Sequence, residues 1–308
     1  MKDKVSIITT FHNSENYILK CIHSVWSQET SIDFDIEYIL IDDQSEDHTS
    51  EIIDLYFKKY KWIYDYKIIK TPENLGCGGA RNFGIANSTG NYIMFLDSDD
   101  YYIKNDFVLR AYNIIFENNA DIVEFGFRYV NENGMREHIV SKDKKIIENN
   151  STANMYALFY DTLIHFMPWT KIIRRTIVET KQYNTSRKFE DIRTTPYWIY
   201  NAKKILIENT IEINYRSTNN SIVRENMEET RLGTIKAISE LFEYFKDNKD
   251  ILKAMYDRCL LDLRTMIDLD SDSEYFKKMS KLNTYMLSYI YPDNYKDITY
   301  DVENDNNK

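Results

Sequence analysis

The stretch that decides the fold is NYIMFLDSDDYY, residues 91–102. The mostly apolar residues 92–96 are followed within four positions by Asp97, Asp99 and Asp100. An apolar run of this length is typical of a buried strand. Clustered negative charge at the end of a strand indicates either a binding or catalytic site that uses acidic side chains, or a turn that favours them.

Apolar runs of this kind alternate with amphipathic stretches over the first 130 residues. Segments with apolar residues at helical spacing are 14–28, 48–60 and 78–88, and the last of them is expected to end at Gly90. The candidate strands between them are residues 5–10, 36–41, 64–70 and 92–96. This rhythm predicts an α/β fold with a mostly parallel sheet flanked by helices. Ligands of such sheets bind beyond the carboxyl ends of the strands.

Composition excludes several classes of function. The net charge of −10 argues against a general nucleic-acid binder, which needs clustered positive charge. No apolar run is long enough to span a membrane, and the N-terminus lacks the pattern of a signal peptide. Three widely spaced cysteines without metal-binding spacing indicate reduced thiols in a cytoplasmic protein. Location at the inner face of the membrane stays open.

The acidic cluster has two interpretations. Aspartates are common in turns and at helix caps, which explains one of them well and three of them poorly. A calcium loop of the EF-hand type is excluded, because Tyr102 and Val108 occupy the positions of its glycine and glutamate. The functional interpretation is a site for Mg²⁺ or Mn²⁺ that bridges a diphosphate, since these ions take oxygen ligands from one or two carboxylates, phosphates and water.

Two other segments point to the same edge of the sheet. Asp42 and Asp43 follow the second candidate strand, where turn or cap roles are the simple alternative. The segment NLGCGGARNFG fits neither a dinucleotide fingerprint nor a P-loop, because Arg81 and Ile85 stand where glycine and lysine are required. A glycine-rich helix start can still present N–H groups to phosphate, and an arginine adds a cation.

Five segments resemble, in their order along the chain, the family 2 glycosyltransferases with the GT-A (Rossmann-like) fold. The similarity covers roughly residues 4–222, in the segments VSIITTFHNSENYILKCIHSVWSQ, YILIDDQSEDHTSEII, ENLGCGGARNFGIANSTGNYIMFLDSDD, MPWTKIIRR and FEDI. The resemblance implies an inverting enzyme that transfers a hexosyl or hexosaminyl group from a nucleotide-sugar, usually a UDP-sugar, to an acceptor hydroxyl in surface glycan or polysaccharide synthesis.

The resemblance also implies a donor site. Asp43, with Asp42 beside it, would bind the base, Asp97 would bind the ribose, and Asp99 would hold Mn²⁺ or Mg²⁺. The other residues implied for nucleotide binding are Thr10, His12, Glu15, Gly76, Arg81 and Ser98. The family commonly has tyrosine where this chain has His12, which leaves the stacking of the base open.

The segment KFEDIRTTPYW resembles the acidic motif that supplies the catalytic base of the family. Asp191 is expected to accept the proton of the acceptor hydroxyl, and Glu190 to orient the acceptor or that aspartate. The alternative is a pair of acidic residues that stabilise a helix N-terminus. On the acceptor side, Trp169 would stack on a sugar ring or lie in the core, and Lys171 would pair with phosphate or lie on the surface.

The predicted organisation follows from these segments. Residues 1–222 form a GT-A catalytic domain, with a nucleotide-sugar half (1–100) and an acceptor half (101–222); residues 223–300 form a helical extension, and 301–308 a disordered tail. The extension has three open interpretations: helices packed on the catalytic domain, a homodimer surface, or peripheral contact with the membrane that holds a glycan or lipid-linked acceptor.

Two other functions compete with sugar transfer. A nucleotidyltransferase also combines metal, nucleotide and a parallel sheet, but it would normally have a glycine-rich loop with Lys or Arg after the first strand, where this chain reads TTFHNSEN. A non-catalytic nucleotide-sugar binder would keep Asp43, Asp97 and Asp99 and would have no need of Asp191.

Overall fold

The computed structural model describes most of the chain. The described ranges are residues 2–131, 134–185, 189–217, 227–266 and 273–292. The chain forms two compact units, of which the first comprises residues 1–150 and 163–218 and the second residues 151–162 and 219–308. The predicted boundary at 222 lies close to the end of the first unit. Residues 151–162, which fall within the predicted catalytic domain, group with the C-terminal helices.

Ten strands in the described ranges form one sheet. They are β1 (Asp3–Phe11), β2 (Phe34–Asp42), β3 (Asp65–Lys70), β4 (Tyr92–Phe95), β5 (Tyr101–Tyr102), β6 (Ile122–Asn131), β7 (Gly134–His138), β8 (Lys145–Glu148), β9 (Lys171–Arg174) and β10 (Lys204–Arg216). Their spatial order is β3-β2-β1-β4-β9-β6-β10-β5, with β7 paired to β6 and β8 paired to β10.

The strands that alternate with helices in the sequence form the parallel half of the sheet. β1 pairs with β2 and β4 in parallel, and β2 pairs with β3 in parallel. Beyond β4 the sheet is mixed, because β9 runs antiparallel to both β4 and β6, whereas β10 runs parallel to β6. The α/β class is confirmed. The strands β1 to β4 pair with one another in parallel, as expected where crossover helices connect strands, and the other half contains both parallel and antiparallel pairs.

The helices also follow the predicted periodicity. They are α1 (Ile18–Trp26), α2 (Thr49–Lys59), α3 (Gly76–Asn87), α4 (Phe107–Glu117), α5 (Ser151–Phe159), α6 (Arg175–Val178), α7 (Glu190–Asn201), α8 (Met227–Phe245), α9 (Lys249–Met266) and α10 (Glu274–Ile290). The apolar stripe of α1 is buried, as Ile18, Cys21 and Val25 illustrate. On α2, Ile53 and Tyr56 are buried, whereas Leu55 is 65% exposed.

In the first unit, α3 lies unusually close to β1 because it carries glycines. A Cβ on Gly84 would come within 2.5 Å of Cγ2 of the buried Ile8. The helix ends at Asn87, before the predicted stop at Gly90. Gly90 has a different role, since a Cβ there would lie 2.7 Å from both the carbonyl oxygen of Lys4 and the backbone nitrogen of Ser6. The glycine therefore allows the chain to cross the backbone of β1.

The second unit consists of helices in its described part. α5 and α10 both pack against α9, and α10 also packs against α8. Apolar side chains from these helices form its core, among them Leu158, Ile235, Leu241, Phe242, Met255, Met279 and Leu282. The predicted helical extension is therefore present, whereas the predicted tail at 301–308 lies outside the described residues. No helix in the described ranges has the length and apolar character needed to cross a membrane.

We predict that Gly90→Ala lowers the free energy of unfolding by about 1–3 kcal/mol, because the added methyl group forces backbone atoms of β1 apart. Urea denaturation measures the change. Ala86→Ser, which adds an atom at an exposed site on α3, is the matched control and should have little effect. Equal stability of Gly90→Ala and the wild-type protein would contradict the close approach.

Candidate active site

Acidic side chains follow two strands of the parallel half where those strands end. β1 lies between β2 and β4, with Phe11 opposite Asp42 and Ile8 opposite Phe95. Because the strands are parallel, the residues that follow β2 and β4 lie at the same edge of the sheet. The predicted convergence of the segments after these two strands is therefore present in the structure.

Asp42 and Asp43 hold the backbone around the end of β2. Both carboxylate oxygens of Asp42 are engaged, Oδ1 by the N–H of Ser45 at 2.7 Å and Oδ2 by the hydroxyl of Ser50 at 2.8 Å. Oδ1 of Asp43 accepts hydrogen bonds from the Thr71 hydroxyl at 2.9 Å and the Leu75 N–H at 2.8 Å. Asp42 therefore stabilises the turn into α2, and its role in nucleotide binding stays a prediction.

The loop after β1 carries three more of the predicted nucleotide-binding residues. The exposed His12 ring binds the carbonyl oxygen of Asp43 through Nδ1 at 2.9 Å. The half-buried Thr10 side chain contacts the Cys77 thiol. Glu15 accepts the N–H of His48 at 3.1 Å and thereby stabilises the start of α2. His12 and Thr10 thus lie beside Asp43 and α3, whereas Glu15 is used as a helix cap.

The start of α3 brings the glycine-rich segment against the segment that precedes α7. Gly76 has a φ of +69°, a left-handed conformation that glycine adopts without strain. A Cβ on Gly78 would lie 3.1 Å from Cβ of both Tyr183 and Glu190. The glycines therefore permit close contact between α3 and the predicted catalytic motif.

Arg81 connects the donor side of this edge with the catalytic motif. Its buried guanidinium binds Oδ1 of Asp97 at 2.8 Å and Oε1 of Glu190 at 2.7 Å, and it lies over the ring of Tyr183. Pairs between arginine and carboxylates are strong when they are shielded from water. Arg81 was predicted to lie near phosphate. Its guanidinium joins two acidic motifs that are far apart in sequence, and its place near phosphate stays a prediction.

The acidic cluster after β4 contains two partly exposed carboxylates and a buried one. Burial, and next the negative charge of Asp97, raise the pKa of Asp99 to about 6. Asp100 is fully buried, and its Oδ1 accepts the N–H of Arg216 at 2.7 Å, as expected for a turn residue. Ser98 binds the hydroxyl of Ser14 at 2.8 Å. Asp99, together with the oxygen of Asp97 that does not bind Arg81, therefore remains for ligands.

The cluster fits a divalent cation that also binds a ligand. Repulsion between Asp97 and Asp99 and the unpartnered Oδ2 of Asp100 are both features that a nearby cation would relieve. Within the described part of the chain, no three Asp, Glu, His or Cys side chains form a metal site by themselves. A cation at Asp99 would therefore need phosphate oxygens and water as its other ligands, which is the usual coordination of Mg²⁺.

The predicted catalytic motif lies at the start of α7. Phe189, the residue before the helix, has a φ of +63°, a conformation that costs a phenylalanine about 1–3 kcal/mol. Burial, and next the charge of Glu190, raise the pKa of Asp191 to about 6, whereas Arg81 acts in the opposite direction. A carboxyl group with this pKa accepts a proton readily near neutral pH.

Trp169 and Lys171 do not present their side chains to the surface. Trp169 is 4% exposed and stacks on Tyr215 at a centroid distance of 5.1 Å, which assigns it to the core, one of its two predicted interpretations. Lys171 is fully buried and pairs with Glu124 at 2.8 Å, so both of its predicted locations are wrong.

Arg216 is a residue of this edge that the sequence analysis did not assign. Its guanidinium lies over the rings of Tyr17 and Tyr101 and lowers the pKa of Asp99 by its charge, although burial and Asp97 outweigh it. The signal in the sequence is weak, because a cation at the end of β10 does not show that this strand ends beside the acidic cluster that follows β4.

Comparisons with known proteins agree with this geometry. Residues 6–180 match the family described as "Glycosyl transferase family 2". The glycosyltransferase GlyA of Streptococcus pneumoniae serotype 4 is 28% identical over 77% of the chain and 34% of its own length, and GlyG of the same organism is 25% identical over 86% of both proteins. The chain therefore spans about a third of GlyA but most of GlyG.

A shorter match and two solved structures extend the comparison. A poly(ribitol-phosphate) β-glucosyltransferase of Bacillus spizizenii is 38% identical over 43% of the chain and 20% of its own length. The S. aureus TarS fragment 1–349 with UDP-GlcNAc superimposes with a TM-score of 0.62 at 19% identity, over 96% of this chain and 90% of that one. A Pyrobaculum calidifontis mannosyltransferase with GDP-Man and Mn²⁺ gives 0.55 at 11% identity, over 96% and 88%.

The two solved structures establish the fold, and the family match covers more than half of the 308 residues. The predicted GT-A architecture is thus confirmed. The chain belongs to the family 2 glycosyltransferases.

Proposed function

We propose that this glycosyltransferase moves a sugar from a UDP-sugar to a hydroxyl group of a surface polysaccharide or teichoic-acid-type acceptor, with inversion at the anomeric carbon. The main support for the proposal is that Arg81 forms two ion pairs. They join Asp97, at the edge that would hold the donor, to Glu190, the neighbour of the proposed base Asp191. Donor and base are thereby brought together in one site.

The choice of UDP-sugar and acceptor rests on the relatives. TarS is described with UDP-GlcNAc and with UDP, and two matched proteins are named as poly(ribitol-phosphate) glycosyltransferases. In this chain, Asp43 would bind the base beside His12 and Thr10, and Asp97 would bind the ribose. A carboxylate can accept hydrogen bonds from the N–H of uracil and from ribose hydroxyls, which supports these assignments.

The chemistry follows from the properties of Asp191. Its carboxylate takes the proton of the acceptor hydroxyl while the hydroxyl oxygen forms a bond to the anomeric carbon and the bond from that carbon to the diphosphate breaks. Attack from the face opposite the diphosphate gives inversion. Arg81 holds Glu190 in place beside the base. A divalent metal at Asp99 would supply positive charge for the departing diphosphate.

Two observations favour transfer over the competing functions. A nucleotidyltransferase would need a loop with glycine and a cation directly after β1, and the residues after Phe11 are His12, Asn13 and Ser14. A protein that only binds nucleotide-sugars gains nothing from a partly buried Asp191 with a raised pKa, because keeping that charge costs folding free energy.

We predict that Asp191→Asn lowers the rate of transfer about 10²- to 10⁴-fold, because the general base is lost, and leaves donor binding unchanged. The variant should also melt a few degrees higher at pH 7.5, since the raised pKa means that the ionised form is disfavoured in the folded state. Calorimetry with UDP, thermal denaturation and a transfer assay give the three readouts. Asp54→Asn, at an exposed site on α2, is the control. Undiminished transfer by Asp191→Asn would remove Asp191 from the mechanism.

We predict that kcat/KM decreases as the pH is lowered through about 6, because protonated Asp191 cannot accept the acceptor proton. In Glu190→Gln the decrease should occur at a lower pH, since the charge of Glu190 raises the pKa of Asp191 and the charge of Arg81 lowers it. Initial rates from pH 5 to pH 8 measure the shift. An acidic limb at the same pH in both proteins would contradict the assignment.

We predict that Mn²⁺ increases the affinity of the wild-type protein for UDP and has little effect on Asp99→Ala. A thermal-shift assay with UDP, in the presence and absence of Mn²⁺, measures this, because a ligand that binds only the folded state raises the melting temperature. Asp54→Ala is the control for loss of an aspartate elsewhere. The same Mn²⁺-dependent shift in Asp99→Ala as in the wild-type protein would show that Asp99 does not hold the metal.

A further inference from the structure

A chain of four polar side chains lies in the first unit behind the Trp169–Tyr215 stack. It consists of Lys171 on β9, Glu124 on β6, His165 in the segment before β9, and His138 at the end of β7. Lys171 and Glu124 are fully buried, and the His165 side chain is 12% exposed. We call these residues the histidine relay. The proposed transfer mechanism uses none of them.

Close contacts connect the members of the relay. Lys171 Nζ donates to the carbonyl oxygens of His165 and Met167 at 2.7 and 2.8 Å, and it forms an ion pair with Oε2 of Glu124 at 2.8 Å. Oε1 of Glu124 binds Nδ1 of His165 at 2.7 Å. Nε2 of His165 lies 2.9 Å from Nε2 of His138. Both nitrogens of His165 are therefore engaged, which leaves neither for a metal.

The contact between the two imidazoles restricts how many protons the pair can hold. Glu124 accepts a hydrogen bond from Nδ1 of His165, so this nitrogen carries a proton. The contact between the two Nε2 atoms needs one donor and one acceptor. With both rings neutral, His138 donates to His165, and after one added proton a single N–H can still lie between the two Nε2 atoms, so the contact is kept. A second added proton places two N–H groups against each other and breaks the contact.

The contact between the two histidines holds β7 against the aromatic residues that pack beside the candidate active site. Phe127 packs against the rings of His138, His165, Trp169 and Tyr215. Tyr215 in turn lies close enough to the acidic cluster for the charges of Asp97, Asp99 and Asp100 to raise its pKa, after the larger effect of burial. Loss of the contact between the two histidines would therefore loosen the packing that supports Tyr215.

The backbone of β6 allows β7 to lie close to the two histidines. A Cβ on Gly126 of β6 would lie 2.7 Å from the carbonyl oxygen of His138. In addition, the buried Lys171 ammonium binds carbonyl oxygens at both ends of the short segment from His165 to Met167. The positions of both imidazoles are thus fixed by their backbones as well as by their side chains.

We propose that His138 and His165 are positioning residues of the transfer reaction: their Nε2–Nε2 contact holds Trp169 and Tyr215 beside the acidic cluster and is broken when both rings are protonated. The consequence for catalysis rests on the proposed function. The proton-dependent contact itself can be measured without any transfer.

The charges around the pair determine when the second proton binds. In the described part of the chain, the titratable or charged groups that act on it are Glu124 from β6 and Arg136 from β7, and Lys171 from β9 binds Glu124 and the carbonyl oxygen of His165. Burial, and next the charges of His165 and Arg136, lower the pKa of His138. The contact therefore persists at neutral pH and is lost on acidification below the usual range of histidine.

Two substitutions at His138 separate hydrogen bonding from protonation. His138→Gln keeps an N–H donor for His165 and does not titrate, so at pH 7.5 it should retain transfer within about threefold and should lose less activity on acidification than the wild-type protein. His138→Phe keeps a ring but leaves Nε2 of His165 without a partner, so it should lower kcat/KM about tenfold even at pH 7.5. His48→Gln, at an exposed site on α2, is the control.

The test combines these pH profiles with ¹⁵N NMR of the histidine rings and with tryptophan fluorescence. The proposal predicts a His165 ring that keeps its Nδ1 proton, coupled titration of the two rings, and an acid-induced change in fluorescence that disappears in Trp169→Phe and in His138→Gln. Independent titration of the rings, or a wild-type pH response in His138→Gln, would overturn it. If the two rings titrate together but the protein transfers no sugar, the proposed function is refuted and the proton-dependent contact still stands.

Discussion

Arg81 is a buried cation that binds carboxylates from two distant parts of the chain. One of them, Asp97, follows β4, which lies where the parallel half meets the rest of the sheet, and the other, Glu190, begins α7. Removing Arg81 would leave both carboxylates without their shared cation, and breaking a buried ion pair in this way typically costs about 3–5 kcal/mol. The relative position of the donor edge and the proposed base therefore depends on this one guanidinium. The glycines of α3 allow the approach, since Cβ atoms there would collide with the segment before α7 and with β1.

Packing around this pair supports the same arrangement. Trp198 of α7 stacks on Phe95 of β4 with an angle of 3° between the rings, and Tyr183 packs edge-on against both. The strand that leads into the acidic cluster is thus fixed to the helix that carries Asp191. The proposed mechanism needs this rigidity, because a general base acts only within hydrogen-bonding distance of the proton that it accepts.

The sequence predicted the parallel half of the fold and the site along its edge, because both follow from local patterns. Alternating strands and helices determine which strand ends share an edge, and the acidic residues lie directly after those ends. Long-range partners were not predictable in this way. Lys171 resembles a surface or phosphate-binding lysine until its partner Glu124, on a different strand, is known. Asp42 and Asp43 are adjacent and alike in sequence, and only the turn geometry separates a structural carboxylate from one that can bind a ligand. Likewise, no local signal assigns α5 to the helical unit.

The central claim is that the acidic edge binds a metal and a nucleotide diphosphate next to Asp191. An anomalous difference map of a crystal grown with UDP and Mn²⁺ tests it most directly, because the metal is then located without reference to any assumed mechanism. We expect a peak within coordination distance of Asp99 and the diphosphate. The uracil base should contact Asp43, and Arg81 should still be bound to Glu190. A nucleotide bound away from this edge, or a Mn²⁺ peak with no contact to Asp99, would contradict it.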